Sequence, residues 1–379
     1  MKSSFGIYIH WPFCLSKCPY CDFNSHVREK IDINQWQQGL LQDLKSCLSE
    51  TSSKQVTSIF FGGGTPSLMP PSLAGSLIDF IYAHWPVSDQ VEITLEANPN
   101  STEVSKLKDF SAAGINRISL GIQSLNDETL KFLKRGHTAT EALQAIEKAR
   151  QVFPRYSFDL IYAHPNQTLE TWQKELTHAL TLASGHLSLY QLTIEEGTPF
   201  YLAYHRGDFT MPDEEKSADF YEFTRDAMQD KGYEAYEISN YAQPGQECAH
   251  NITYWRYNDY IGVGPGAHGR LTDSTNNKWA IRRHRSPEKW LETCGEHERI
   301  LLSKQEIFEE ILMMGLRLKD GLQIKTLMIY CPEQGEKLLK SSKLEQLQKG
   351  NLLHATKDRL ILTPAGQLRL NSVLKYIVT

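Results

Sequence analysis

The sequence predicts an α/β fold built on a parallel sheet, with a smaller helical module behind it. Six β-rich stretches alternate with stretches of helical period before Ile194. Repeated βα units imply parallel strands joined by right-handed crossovers, in either a doubly wound sheet or a barrel. From Lys304 the chain turns helix-rich, and a short apolar run at 360–362 ahead of Pro364-Ala-Gly suggests a winged-helix-like module.

The first strand, 5–11, is apolar and β-rich. Residues 33–48 set Trp36, Leu40, Leu41, Leu44 and Leu48 at helical spacing, with Asp32 or Asn34 placed to start the helix. The second strand, 55–61, runs straight into Gly62-Gly-Gly-Thr-Pro-Ser67. Residues 71–84 read as helix and 91–96 as the third strand. A helix at 102–113 is closed by Gly114 and followed by a fourth strand at 116–120. Residues 127–133 and 140–152 are helical, 156–162 is the fifth strand, 169–182 a helix and 186–193 the sixth strand. Beyond Ile194 the regularity fades, and 232–269 is rich in Gly and Tyr.

A chain of 379 residues holds two domains, or one large barrel with an appendage. Its net charge of −5 gives no bulk electrostatic case for nucleic acid. The last 79 residues carry 12 Lys+Arg against 8 Asp+Glu, an excess too slight to make the C-terminal module a DNA reader. Of seven cysteines, three are clustered, while Cys47, Cys248, Cys294 and Cys331 are scattered and read as small apolar fillers. No apolar run reaches 18 residues, and Met1-Lys-Ser-Ser lacks the apolar region of a signal peptide. A reduced, cytoplasmic protein is expected, with monomer and dimer both open.

Cys14, Cys18 and Cys21 are spaced C-x3-C-x2-C directly after the first strand. Thiolates this close on one loop can face one metal centre, and Pro12 and Pro19 stiffen the loop by fixing φ. An iron–sulfur cubane is ordinarily held by four thiolates, so three would leave one iron open to a ligand. The competing reading is zinc, with His10, Asp22 or His26 as fourth ligand. Structural zinc normally draws on two separated knuckles, however, and no second C-x2-C is present.

With Tyr20 before its last cysteine, the motif resembles the signature of the radical S-adenosylmethionine (SAM) enzymes. The resemblance runs from Gly6 to the C-terminus and is to the oxygen-independent coproporphyrinogen III oxidase-like group, nearest its HemW-type heme chaperones. It implies a [4Fe-4S] cluster on Cys14, Cys18 and Cys21, with the methionyl amine and carboxylate of SAM on the fourth iron. It also favours a partial (β/α)6 TIM-like barrel over residues 1–240. Residues 241–300 would pack on that barrel, and 301–379 would form the winged-helix-like domain.

In parallel βα folds, chemistry gathers at the C-terminal ends of strands. The glycine run after the second strand lets backbone N–H groups approach a ligand that a Cβ would hold off. Glu96 closes the third strand, Gln123 follows the fourth, and Arg135 could clamp a carboxylate in bidentate fashion. Asp159 lies inside the fifth strand, where an unpaired charge would be costly. Each residue alone is more often structural than functional. By resemblance, Tyr8, Tyr20, Gly63, Gly64, Thr65, Glu96, Gln123, Arg135 and Asp159 form the SAM set, and Gly262-Val-Gly-Pro-Gly266-Ala-His268 is a second glycine loop near SAM.

Two departures from the group are visible. Its fifth strand continues Asp-Leu-Ile-Tyr-Gly-Leu-Pro-Gly-Gln-Thr, whereas this chain reads Asp159-Leu-Ile-Tyr-Ala163-His164-Pro-Asn166-Gln-Thr. Coproporphyrinogen oxidases of the group carry a fourth cysteine two residues after the third, and here Phe23 stands there. The HemW-type proteins share that absence and carry His-Asn-x-x-Tyr-Trp, matched by His250-Asn251-Ile-Thr-Tyr254-Trp255. A neutral imidazole can be an axial ligand to heme iron, and Tyr254 and Trp255 offer flat faces to a porphyrin. The plainer reading is a hydrogen-bonded His250 among core aromatics, and Cys248 is a rival soft ligand. The resemblance implies a heme chaperone that passes heme to an acceptor protein, soluble or at the membrane, without coproporphyrinogen oxidase activity. The alternative it implies is radical oxidative decarboxylation of coproporphyrinogen III, converting propionates to vinyl groups and carbon dioxide.

Overall fold

A computed structural model describes residues 4–379. Strands β1 (Phe5–Trp11), β2 (Val56–Gly63), β3 (Val87–Ala97), β4 (Arg117–Gln123), β5 (Arg155–Tyr162) and β6 (His186–Gln191) pair in parallel, each with the next. They are the six strands expected, in chain order. On one side β7 (Asn240–Ala242) joins β6 antiparallel. On the other, β8 (Asp259–Val263) joins β1 in parallel, followed by antiparallel β9 (His268–Thr272), β10 (Lys278–Arg282) and β11 (Glu298–Leu301). With Glu234–Ala235 at the far edge, the strands form one 12-stranded sheet whose linear order does not close on itself. Residues 241–300 therefore lengthen the barrel sheet as well as packing on it.

The crossover helices form for legible reasons. Ile33–Ser46 starts where the Asp32 carboxylate accepts from the N–H groups of Asn34 and Gln35, and it buries Trp36, Leu40 and Leu44. Ala139–Val152 begins with a capping box between Thr138 and Glu141, and Leu169–Leu182 with one between Thr168 and Thr171. The helix expected at 102–113 is two, Ser101–Ser105 and Leu107–Ala112, parted at Lys106; the second buries Leu107 and Phe110. Two of the helices beyond Ile194 show why periodicity fades there. Glu214–Asp230 buries Phe220, Tyr221, Thr224 and Met228, a narrow stripe on a helix otherwise charged. Pro199–Arg206 buries only Phe200, too little to register as a period.

The C-terminal module contains helices Lys304–Gly315, Ile324–Tyr330, Pro332–Leu339 and Ser342–Lys349. A three-stranded sheet lies beside them, and a separate core includes Leu312, Leu327, Leu353 and Leu360. Buried charges join the module to the barrel. Lys278 is fully buried, its Nζ 2.8 Å from Asp259 Oδ1 and 5.4 Å from the centroid of the Tyr330 ring of the module. Arg270 pairs with Glu310 at 2.6 Å across the same seam.

A second buried pair fixes the second glycine loop. Asp43 Oδ1 lies 2.7 Å from Arg283 Nη2, while its Oδ2 accepts from Gly264 N and Trp290 Nε1 at 3.0 Å each. Asp43→Ala would strand the guanidinium in a dry interior. The expected cost is about 3–5 kcal/mol, read as a lower urea midpoint. An unchanged midpoint would contradict the assignment.

Candidate functional site

The thiol loop leaves β1 over an aromatic bed. Phe13 and Trp36 meet edge to face at 4.9 Å, and Trp36 stacks on Trp290 at 5.1 Å. Cys14, Cys18 and Cys21 are unpaired and partly exposed. Thr65 Oγ1 donates to Cys14 Sγ at 3.4 Å, and Arg135 Nη1 donates to Cys18 Sγ at 3.4 Å and to Tyr20 OH at 3.5 Å. Arg135 Nη2 is held by Asn98 Oδ1 at 2.5 Å and by Gly121 O at 2.7 Å. Asn98 Nδ2 in turn donates to Thr65 Oγ1 at 3.1 Å, so one polar chain links Cys14 to Cys18. Gln123 Nε2 lies beside Gly121 in the same cluster. Arg135 thus supports the thiol loop, where the sequence suggested a free carboxylate clamp. Asn98 escaped sequence reasoning; its signal is its place just past β3.

Burial, then the neighbouring thiols, pushes the Cys14 and Cys21 thiols above their ordinary range. Among the described residues, no three His, Cys, Asp or Glu side chains converge on a single-ion site. His10, one candidate fourth zinc ligand, contacts Asn24 O at 2.9 Å and Tyr8 OH at 3.0 Å, and burial lowers it to about 4. His26 contacts Asn24 Oδ1 at 3.3 Å. The donor set fits a cubane, which asks each thiolate to reach a separate iron, better than one tetrahedral zinc.

The glycine run serves this loop directly. A Cβ on Gly63, whose φ is +115°, would lie 2.6 Å from the His10 ring. One on Gly64 would lie 2.8 Å from Phe13 O. Gly64 N and Thr65 N donate to Trp11 O and Phe13 O at 2.7 and 2.8 Å, and Gly63 N donates to Glu96 Oε2 at 3.2 Å. These glycines let the end of β2 press against the thiol loop, so the close approach is to the protein's own chain.

Beneath the loop lies a cavity of about 780 Å³, within the size range of small-molecule sites. Tyr8, Gly63, Glu96 and Asp159 of the SAM set line it; Tyr20, Gly64, Thr65, Gln123 and Arg135 do not. Burial and the Asp159 carboxylate raise Glu96 to about 8, and burial raises Asp159 to about 6. A carboxyl whose folded value exceeds its unfolded one costs stability as pH rises between the two. The unfolding midpoint of Glu96→Gln is therefore expected to gain on wild type from about pH 4.5 to about pH 8 and to level off above. A constant difference across that range would refute the shift.

Helix Ala249–Trp255 brings a second set into the same cavity, against Gly6 and Ser58. His250 Nδ1 lies 3.0 Å from Ser58 Oγ, and its ring stacks on Phe60 at 5.1 Å. Burial drives the imidazole down to about 3, so it is neutral at physiological pH. No hydrogen bond engages its Nε2 among the described residues. Tyr254 OH donates to Asn251 Oδ1 at 3.1 Å, and the Arg317 guanidinium lies 4.7 Å over the Trp255 ring. Cys248 donates to Glu92 Oε1 at 3.4 Å and is pushed up to about 12, which keeps it a thiol and weakens it as a soft ligand. Ser58, Glu92 and Arg317 had no sequence signal.

The loop after β5 rationalises the glycines that this chain has replaced. Ala163 and Asn166 have φ of +54° and +61°, the left-handed region that glycine enters freely. Asn tolerates it, whereas Ala163 carries strain of about 1–2 kcal/mol. His164 Nε2 lies 3.3 Å from Thr129 Oγ1, outside the cavity lining.

An open parallel barrel with three thiols on the loop after its first strand, and a glycine run after its second, defines a barrel of the radical SAM class. Residues 8–179 match the family model for the radical SAM superfamily, and residues 302–369 match that for the HemN C-terminal domain. The chain is 36% identical over 379 residues to the heme chaperone HemW of Escherichia coli, covering 98% of each chain. It is also 36% identical to the mitochondrial radical S-adenosyl methionine domain-containing protein 1 of Danio rerio, covering 98% of this chain and 86% of that one. Among solved structures, coproporphyrinogen III oxidase (HemN) from Escherichia coli superposes with a TM-score of 0.81 at 20% identity, over 100% of this chain and 91% of that one. The chain belongs to the radical SAM superfamily, in the coproporphyrinogen III oxidase-like group that includes the HemW proteins.

Proposed function

We propose that this protein binds heme in the barrel cavity and passes it to an acceptor protein. In this reading Cys14, Cys18 and Cys21 carry a [4Fe-4S] cluster, and SAM binds at its open iron. His250 carries the reading: a neutral imidazole with an unengaged Nε2 in a cavity of about 780 Å³, beside Tyr254 and Trp255. The name heme chaperone HemW, borne by a relative aligned over 98% of both chains, supports it. Phe23, where coproporphyrinogen oxidases of the group resemble one another in a fourth cysteine, weighs against the decarboxylase alternative.

When bound, the cluster would supply one-electron reducing power and one iron open to ligands. The surrounding residues have definite tasks. Arg135 and Thr65 would steady the charge of the Cys18 and Cys14 thiolates. Glu96 and Asp159 would accept hydrogen bonds from the ribose hydroxyls of SAM. Seven unpaired cysteines suit a reducing compartment such as the cytoplasm, though the Danio rerio relative is named mitochondrial. No helix among the described residues is long and apolar enough to cross a membrane.

Heme titration of the anaerobically reconstituted protein, followed at the Soret band, tests the reading. Saturable, stoichiometric binding is expected. Its absence would overturn the proposal and make coproporphyrinogen turnover the next assay.

A further inference from the structure

The mouth of the cavity is basic in a chain of net charge −5. His268, which lines the cavity, pairs in register with Arg282 on β10, which stands just outside the lining and has Glu298 as its register neighbour on β11. The rim continues through Arg283 N, which donates to Ala267 O at 2.9 Å, and Gly266 N, which donates to His284 O at 2.8 Å. These bonds bring Arg285 to the cavity beside His268. Both Arg282 and Arg285 are exposed, and among the described residues neither guanidinium has an ion-pair or hydrogen-bond partner. Arg270, the next cation along β9, differs in being saturated by Glu310 at 2.6 Å. The rim is rigid, because Asn24 Nδ2 donates to Pro265 O and to Arg285 O at 2.9 Å each.

Beside Asn24, Phe23 lines the same cavity with 60% of its surface exposed. A large apolar ring left in water on the same cavity wall as the unpaired Arg285 guanidinium, with Arg282 one strand behind His268, is an amphipathic surface. It matches a flat apolar ligand that carries carboxylates along one edge. Register sets the depth. His250 abuts Gly6 at the level of Tyr260, and His268 abuts Gly262, two residues further along β8. At about 3.3 Å per residue the rim stands roughly 7 Å above the imidazole, which suits a ligand held at its centre by one and at its edge by the other.

We propose that Arg282 and Arg285, flanking His268, hold the carboxylate edge of a tetrapyrrole at the cavity mouth, with Phe23 against its ring. This rests on the heme reading above and deepens it. Guanidinium groups take carboxylates in fork geometry, so two of them select a macrocycle with a paired acidic edge over its uncharged ester. The methionyl carboxylate of SAM has the same chemistry and is the rival occupant.

The test titrates heme and heme dimethyl ester into reconstituted wild-type, Arg282→Ala, Arg285→Ala and doubly substituted protein, with SAM affinity measured in parallel by equilibrium dialysis. Wild type is expected to prefer the free acid, and the double variant to lose about tenfold or more in heme affinity, as charged hydrogen bonds at a partly solvated rim would. Ester and SAM affinity should be unchanged by the substitutions. Equal binding of acid and ester by wild type, or unchanged heme affinity in the double variant, would overturn the rim assignment while leaving the heme reading intact. A loss confined to SAM would assign the rim to SAM and also overturn it. If wild type binds neither porphyrin, the heme reading itself fails. Both side chains are exposed, so the variants are expected to fold, and unchanged iron content would verify it.

Discussion

Cys18→Ser protein, purified and reconstituted without oxygen, is expected to lose essentially all of the iron and sulfide that the wild-type chain takes up. Three thiolates are the minimum reading of the site, and nothing stands in reserve. Cys47, Cys248 and Cys331 are buried, and Cys294 contacts the helix turn behind it. A serine hydroxyl does not ionise at neutral pH, so it cannot replace a thiolate as a soft ligand. Cys18 is also the thiol that Arg135 Nη1 approaches at 3.4 Å, so its loss frees one arm of a guanidinium that Asn98 and Gly121 still hold. The fold should therefore survive while the cluster does not. Iron and sulfide analysis checks this directly, and a variant with full iron and sulfide would remove Cys18 from the ligand set.

His250→Ala is expected to weaken heme binding by at least roughly tenfold and to shift the Soret band, since even outer partners of a metal commonly account for 10–100-fold. The side chain is buried against Phe60 and Ser58, and burial holds it neutral, the form that can ligate iron. Among the described residues the imidazole is hydrogen-bonded only at Nδ1, which leaves Nε2 for the metal. Ser58→Ala should cause a smaller loss, because Ser58 orients the ring without reaching the iron. An identical Soret band and affinity in His250→Ala would remove it as a ligand and leave the cavity aromatics as the only support for heme. The variant's iron content separates a lost ligand from a collapsed fold.

The two residue sets share one chamber, and this bears on both experiments. Tyr8, Glu96 and Asp159 lie on strands β1, β3 and β5, while His250 and Tyr254 arrive on a helix some ninety residues later in the chain. Tyr8 and His250 stack at 6.1 Å. A ligand at His250 would therefore lie beside the residues proposed for SAM.

Periodicity was enough for the existence of the six strands, because each is largely buried and the crossover helices carry their own stripes and caps, but their order in a barrel came from the family resemblance. The thiol loop was legible from local spacing, since a C-x3-C-x2-C run has few uses. Ser58 under His250, Asn98 between Thr65 and Arg135, and the bare cations of the rim were not legible. Each acquires its meaning from a neighbour more than ten to nearly two hundred residues away, through strand register and packing that no local pattern encodes. The glycine run shows the limit most plainly. The sequence announced that a close approach must occur after β2. Only the packed barrel decided that the approaching group is the thiol loop itself, because the β1–β2 pairing sets Trp11 opposite Gly63 and so brings those two turns together.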